Sequence, residues 1–290
     1  MLLSVLRKFK DNKYSLQKIE YICTMKISAT RILYILLIST AISSCSKFQK
    51  VMKSSDFNLK YDKAVEYYEK KDYYRAVSLF EDIENIFKAS EKGQKIQYYM
   101  SYCYYNQGNH ILAGHYFLNF AGRFPNNEHS EECEYMAAYC SALLSPEPSL
   151  DQTYTRQAID EMQAFVNKYP NSTRISECNR IIGKLRYKLE TKSFEAARLY
   201  FNIGDYKAAT ISFKNNLEEF PDSPFRENVR FLMLKSWYLY AQKSILSKQP
   251  ERFQNTINEY YALIAEYPET QYLKEAQKIF ADATEKITKK

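Results

Sequence analysis

One frame recurs five times along this chain: a small residue, a large apolar or aromatic residue four positions later, and an aromatic seven beyond that. The sets are Ala76/Phe80/Phe87, Ala113/Phe117/Phe124, Ala158/Met162/Tyr169, Ala209/Phe213/Phe220 and Thr256/Tyr260/Tyr267. Offsets of four and seven fall on one face of an α-helix. The small residue admits a neighbouring helix, the next side chain fills the gap, and the aromatic seals the end. In the last four sets proline follows the aromatic at once, as Pro125, Pro170, Pro221 and Pro268. Proline has no N–H and its ring clashes with the preceding turn, so the helix stops there. Each unit therefore closes on an amphipathic helix, B.

A helix A lies upstream. Ala64-x-x-Tyr67, Ser101-x-x-Tyr104 and Ala197-x-x-Tyr200 precede helix B in the first, second and fourth units. Gly108 and Gly204 fall at the A–B turn, where a left-handed residue is favoured. This Tyr, Gly, Ala, Phe and Pro spacing resembles the tetratricopeptide repeat, a helix–turn–helix family, over roughly residues 57–270. The resemblance implies an all-α fold, an α-solenoid of about five helical hairpins. Residues 271–290 read as a C-terminal capping helix with Ala276, Phe280 and Ala283 inward. Successive Phe80-type positions are 37, 45, 51 and 47 residues apart. That excess over the family period predicts longer helices and loops, notably at Ser145–Pro148 and Ser247–Pro250.

The chain has 290 residues with only 6 Gly, fewer than a Rossmann-type or β-barrel enzyme needs for its turns. Its formal charge of +7 is uneven. Residues 1–44 carry seven Lys/Arg against two acids, leaving 34 bases and 32 acids in the rest. A near-neutral body is not built to hold a polyanion, so nucleic acid is not expected as a partner.

The basic leader has its own pattern. Lys26 and Arg31 form a positive n-region before an apolar run from Ile32 to Ile42, too short for ~30 Å of hydrocarbon. The run closes on Ile42-Ser43-Ser44-Cys45, which resembles the bacterial lipobox. That resemblance implies Cys45 as the lipid-attachment residue and the new N-terminus, with its thiol in a thioether to diacylglycerol. Several acyl chains anchor durably where one does not. The chain divides accordingly. Residues 1–24 form an upstream extension before the alternative start Met25, and 25–44 a lipoprotein signal peptide. Residues 45–56 are a lipidated linker and 57–290 the repeat domain. Ser46 rather than Asp follows Cys45, which favours the outer membrane by the same resemblance.

No catalytic or metal motif stands out. His110, His115 and His129 share no useful spacing, and neither an HExxH, a C-x-x-C nor a P-loop occurs. The chain is read as a non-enzyme with no cofactor and no metal. Cys103, Cys133, Cys140 and Cys178 read as small buried hydrophobes. Cys133 and Cys140 are seven apart on one helix, ~10 Å, too far to pair with each other. A link from Cys103 to either one stays open.

In tetratricopeptide proteins helix A lines the binding surface. Its positions here would be Tyr61, Val65 and Tyr68 in the first unit, and Tyr98, Tyr102, Tyr105 and Asn106 in the second. In the fourth they would be Phe194, Arg198, Phe201 and Asn202. The aromatic set Tyr61, Tyr68, Tyr98, Tyr102, Tyr105 with Asn106 is the expected peptide-binding groove. Packing between repeats is the competing use of the same rings. The order of lipobox, short linker and long repeats resembles the lipoproteins that assemble outer-membrane proteins. That resemblance implies a lipid-anchored position on the periplasmic face of the outer membrane. The implied partners are a BamA-like barrel protein and unfolded outer-membrane proteins. Other readings are a periplasmic repeat lipoprotein of envelope or division coordination, or a lipid-anchored nutrient-binding protein.

Overall fold

The computed structural model describes residues 47–88 and 90–288, so the leader, the lipobox and Cys45 lie outside the described residues. Every regular element among them is helical. The chain forms two compact units that divide between Gly108 and Asn109. The first holds a helical stretch at 47–52, α1 (Phe57–Glu69), α2 (Tyr73–Phe87) and α3 (Glu91–Asn106). The second holds α4 (His110–Arg123), α5 (Ser130–Leu144), α6 (Thr153–Lys168) and α7 (Ile175–Asn202). It continues through α8 (Tyr206–Glu219), α9 (Arg226–Gln242), a 3-10 turn (Leu246–Lys248), α10 (Gln249–Glu266) and α11 (Leu273–Thr288). Within each unit the helices pack on their chain neighbours as successive hairpins. This is the all-α, tetratricopeptide-like class expected of an α-solenoid.

The recurring frame is the core. Ala76, Phe80, Ala113, Phe117, Ala158, Met162, Ala209, Phe213 and Thr256 are fully buried. In the fifth set Tyr260 is half-buried instead and stacks on Phe280 of α11 at 4.4 Å. The capping helix buries Ala276, Ile279 and Ala283.

The proline stop has a uniform geometry. Phe124, Tyr169, Phe220 and Tyr267 are C-caps with φ between −132 and −120° and ψ between 58 and 76°. Each donates its N–H to the carbonyl four residues back at 2.8–2.9 Å. The residue before proline is driven out of the helical region by the pyrrolidine ring. After Phe87, where Lys88 replaces proline, the C-cap keeps helical angles.

Three residues past each of these aromatics stands Asn127, Ser172, Ser223 or Thr270. Each donates its N–H to the aromatic's carbonyl, at 2.9–3.2 Å. Each side-chain oxygen then accepts the N–H two residues on, at 2.9–3.3 Å. The B-to-A connection is thus one small structure, built four times.

The A–B turns are equally regular. Gly108 and Gly204 take φ of +76 and +83°, as expected, and Lys71 takes +61° at the same place. Asp72, Asn109 and Asp205 follow and cap the next helix, accepting from Arg75, Leu112 and Ala208 N–H. The extra length of the third and fourth repeats goes into the 28 residues of α7 and into the loop before α6. Lys188 of α7 donates to the Ser145 carbonyl at 3.0 Å, and Lys192 to that of Leu150 at 2.6 Å. Gln152, 5% exposed, donates to the carbonyls of Glu147 and Leu150 from within the loop.

Residues 47–52, expected as linker, are helical instead. Phe48 meets the Tyr67 ring at 5.8 Å and the Arg75 guanidinium at 5.8 Å, and this aromatic–cation contact gives the stretch something to fold against. The four described cysteines are free and buried. Burial pushes the thiols of Cys103, Cys133 and Cys140 up to about 12, which keeps them unreactive at neutral pH.

Lys71 is exposed and left-handed, where a Cβ is penalised. Lys71→Gly is expected to raise stability by about 0.5–1 kcal/mol in denaturant titration; a loss would contradict this account of the turn. Ser223→Ala removes one turn bond at a buried site and should cost about 1 kcal/mol by the same measurement. No change there would mean the hydroxyl does not hold the loop.

Candidate peptide-binding site

The expected groove residues all belong to the first unit. Tyr98, Tyr102 and Tyr105 stand at offsets of four and three on α3, so they share a face. Their rings run as a ladder, with centroids 5.1 Å apart from Tyr98 to Tyr102 and 6.4 Å from Tyr102 to Tyr105, both edge-on. All three are half-buried, and Asn106 at the end of the stripe is exposed. The Asn106 amide donates to the Tyr102 carbonyl at 2.7 Å, which fixes its side chain along the helix.

Tyr99 roots the ladder in the core. Its ring lies 6.1 Å from Tyr98 and stacks on the fully buried Phe80 at 5.7 Å. Sequence reasoning passed over Tyr99 because it falls outside the i, i+4, i+7 stripe. The signal was an unbroken Tyr98-Tyr99 pair, which puts one ring outside and one inside. Buried Ser101, Cys103 and Tyr104 occupy the inner side of α3, and the Tyr104 hydroxyl donates to Glu81.

Tyr61 and Tyr68 are used differently. Tyr61 leans on Phe80 and Phe87 at 6.5 and 6.2 Å and is covered by the Lys92 ammonium at 4.8 Å. Tyr68 meets Tyr73 at 5.9 Å and Tyr99 at 4.7 Å. Burial is the main reason that both hydroxyls titrate above their ordinary range. The structure therefore places these two rings between helices, at the inner edge of the α3 stripe.

The corresponding set in the fourth repeat is not an open row. Phe194 is 4% exposed and stacks flat on Phe225 at 4.9 Å, so it is core and not surface. The expectation that it lines a surface fails because Phe225 approaches from the next loop. Phe201 packs on the same cluster, Arg198 pairs with Glu195 at 2.5 Å, and Asn202 is exposed.

Among the described residues no group of three or more His, Cys, Asp or Glu could hold a metal ion. No helix among them is long and apolar enough to cross a membrane. What the α3 face offers chemically is three aromatic edges with hydroxyl rims and one amide. That suits apolar side chains and backbone amides, and it supplies no nucleophile.

The comparisons with known proteins agree with this organisation. Over 238 residues the chain is 26% identical to the "Putative outer membrane protein assembly factor BamD" of Aquifex aeolicus (strain VF5), covering 81% of this chain and 76% of that protein. Over 205 residues it is 20% identical to the "Outer membrane protein assembly factor BamD" of Caulobacter vibrioides, covering 69% and 67%. Among solved structures it matches TPR-like repeats of a "putative kinesin light chain" at 12% identity and a TM-score of 0.30, over 73% of this chain and 95% of that one. The family described as YfiO, outer membrane lipoprotein, matches residues 53–239 and 195–290. The chain belongs to the YfiO family of outer membrane lipoproteins.

Proposed function

We propose that this protein is a lipid-anchored scaffold of outer-membrane protein assembly, held by Cys45 on the periplasmic face of the outer membrane. It receives unfolded barrel proteins and docks to a BamA-like barrel protein. The names of the two relatives support the assembly role. The observation that carries substrate receipt is the α3 ladder of Tyr98, Tyr102 and Tyr105, half-exposed and rooted through Tyr99 in the core.

An unfolded barrel strand alternates apolar and polar side chains, and the implied substrates end in an aromatic residue. Tyrosine edges accept that aromatic at ~0.5–1.5 kcal/mol per ring pair. Asn106 and the tyrosine hydroxyls stand where an extended backbone would need donors and acceptors. Weak, repeated contacts of this kind hold a chain without trapping it. The work is binding and release, with no covalent step.

Two outcomes test the reading. Tyr102→Ala with Tyr105→Ala should weaken binding of barrel C-terminal peptides by about tenfold, with a nearly unchanged melting temperature. A large loss of stability would mean that the rings serve packing. Cys45→Ala should move the protein from the membrane to the soluble fraction on cell fractionation, and unchanged membrane retention would refute the anchor.

A further inference from the structure

The second unit has a cleft of about 390 Å³ between α4 and α6, over α5. Small residues, Gly114, Ala137 and Ala138, form its bottom, and Ile111 and Leu118 on its rim are each 59% exposed. Into this apolar setting α6 brings Glu161. One of its carboxylate oxygens accepts from the Gln157 side-chain amide at 2.8 Å, while Oε2 is buried and accepts no hydrogen bond. A carboxylate oxygen held from water without a donor is costly.

A cleft of about 570 Å³ between α8 and α10, over α9, repeats the arrangement. Glu259 stands three residues beyond Thr256, as Glu161 stands three beyond Ala158, and its Oε2 likewise accepts no hydrogen bond. There Arg230 of α9 lies 3.5 Å from that oxygen and answers its charge. Counted from the turn residues Ser223 and Asn127, the place of Arg230 is taken by Glu134 in the first cleft. Counted back from the terminal aromatics, Lys168 takes the place of Glu266. The ion pair Arg230–Glu266 thus reappears as Glu134–Lys168 with its polarity reversed. The reversal puts an acid where Glu161 would need a cation, and among the described residues no cation pairs with Glu161.

The geometry points to the α4–α6 cleft as a docking site for a partner segment with large apolar side chains and one lysine or arginine. The apolar side chains enter between Ile111 and Leu118, and the cation donates to Glu161 Oε2. The volume takes a few side chains rather than a whole helix, which is ~10 Å across. This surface lies on helices other than α1 and α3, so it does not depend on the tyrosine face.

The test uses the full chain and two fluorescein-labelled synthetic amphipathic peptides. They have identical leucine anchors and differ only in a central lysine or norleucine. Fluorescence anisotropy should give about tenfold tighter binding of the lysine peptide, the worth of one charge-assisted hydrogen bond. Glu161→Gln should erase that preference. Ala164→Trp, at an exposed position on the cleft wall, should abolish binding of both peptides. Equal binding of the two peptides by the unaltered chain would overturn the proposal. So would a preference that survives Glu161→Gln, or one lost only in the Tyr102/Tyr105 variant. Glu161→Gln that merely raises the melting temperature, with binding unchanged, would mark Glu161 as an unrelieved core charge and also overturn it.

Discussion

Everything in this molecule rests on one contact made on every B helix, the meeting of a small residue with a neighbouring helix. A bulkier side chain at Ala76, Ala113, Ala158 or Ala209 would hold that helix away and open a void around the large residue four positions on. Those large residues are fully buried in four of the five sets, and truncating a buried phenylalanine costs ~3–5 kcal/mol. The aromatic–proline stop then fixes where each B helix ends, and the turn three residues later fixes where the next A helix begins. Because both ends are set locally, the faces of α3, α5 and α9 are set as well.

Much of this could be read before any coordinates. The B helices, their stops, the two left-handed glycines and the capping helix all follow from side-chain size, helical offsets and proline chemistry, which are local properties. What was missed is non-local or lacks a distinctive residue. Lys71 takes the same left-handed turn as Gly108 and Gly204, yet a lysine gives no sign of it. The Asn/Ser/Thr turn was present in the sequence, three residues after every aromatic–proline pair, but four different residue combinations disguised one geometry. Residues 47–52 fold as helix through the aromatic and cationic partners of Phe48, which periodicity cannot supply.

The site was legible in part for the same reason. Spacing alone put Tyr98, Tyr102 and Tyr105 on one face, and they are there. Which rings of the other repeats stay open depends on what packs over them, and that is a tertiary fact: Phe225 covers Phe194, and Lys92 covers Tyr61. The reversed ion pair beside Glu161 belongs to this class too, since it appears only when two clefts can be superimposed in register.

The central claim is that a stack of helical hairpins handles unfolded chains through the tyrosine face of α3. Hydroxyl-radical footprinting of the full chain, with and without an unfolded outer-membrane barrel protein, tests it most directly. The account predicts that Tyr98, Tyr102 and Tyr105 lose reactivity on binding, while Tyr74 and Tyr261, 71% and 59% exposed and outside the face, keep theirs. Protection of Tyr74 or Tyr261 with the α3 tyrosines unchanged would contradict it.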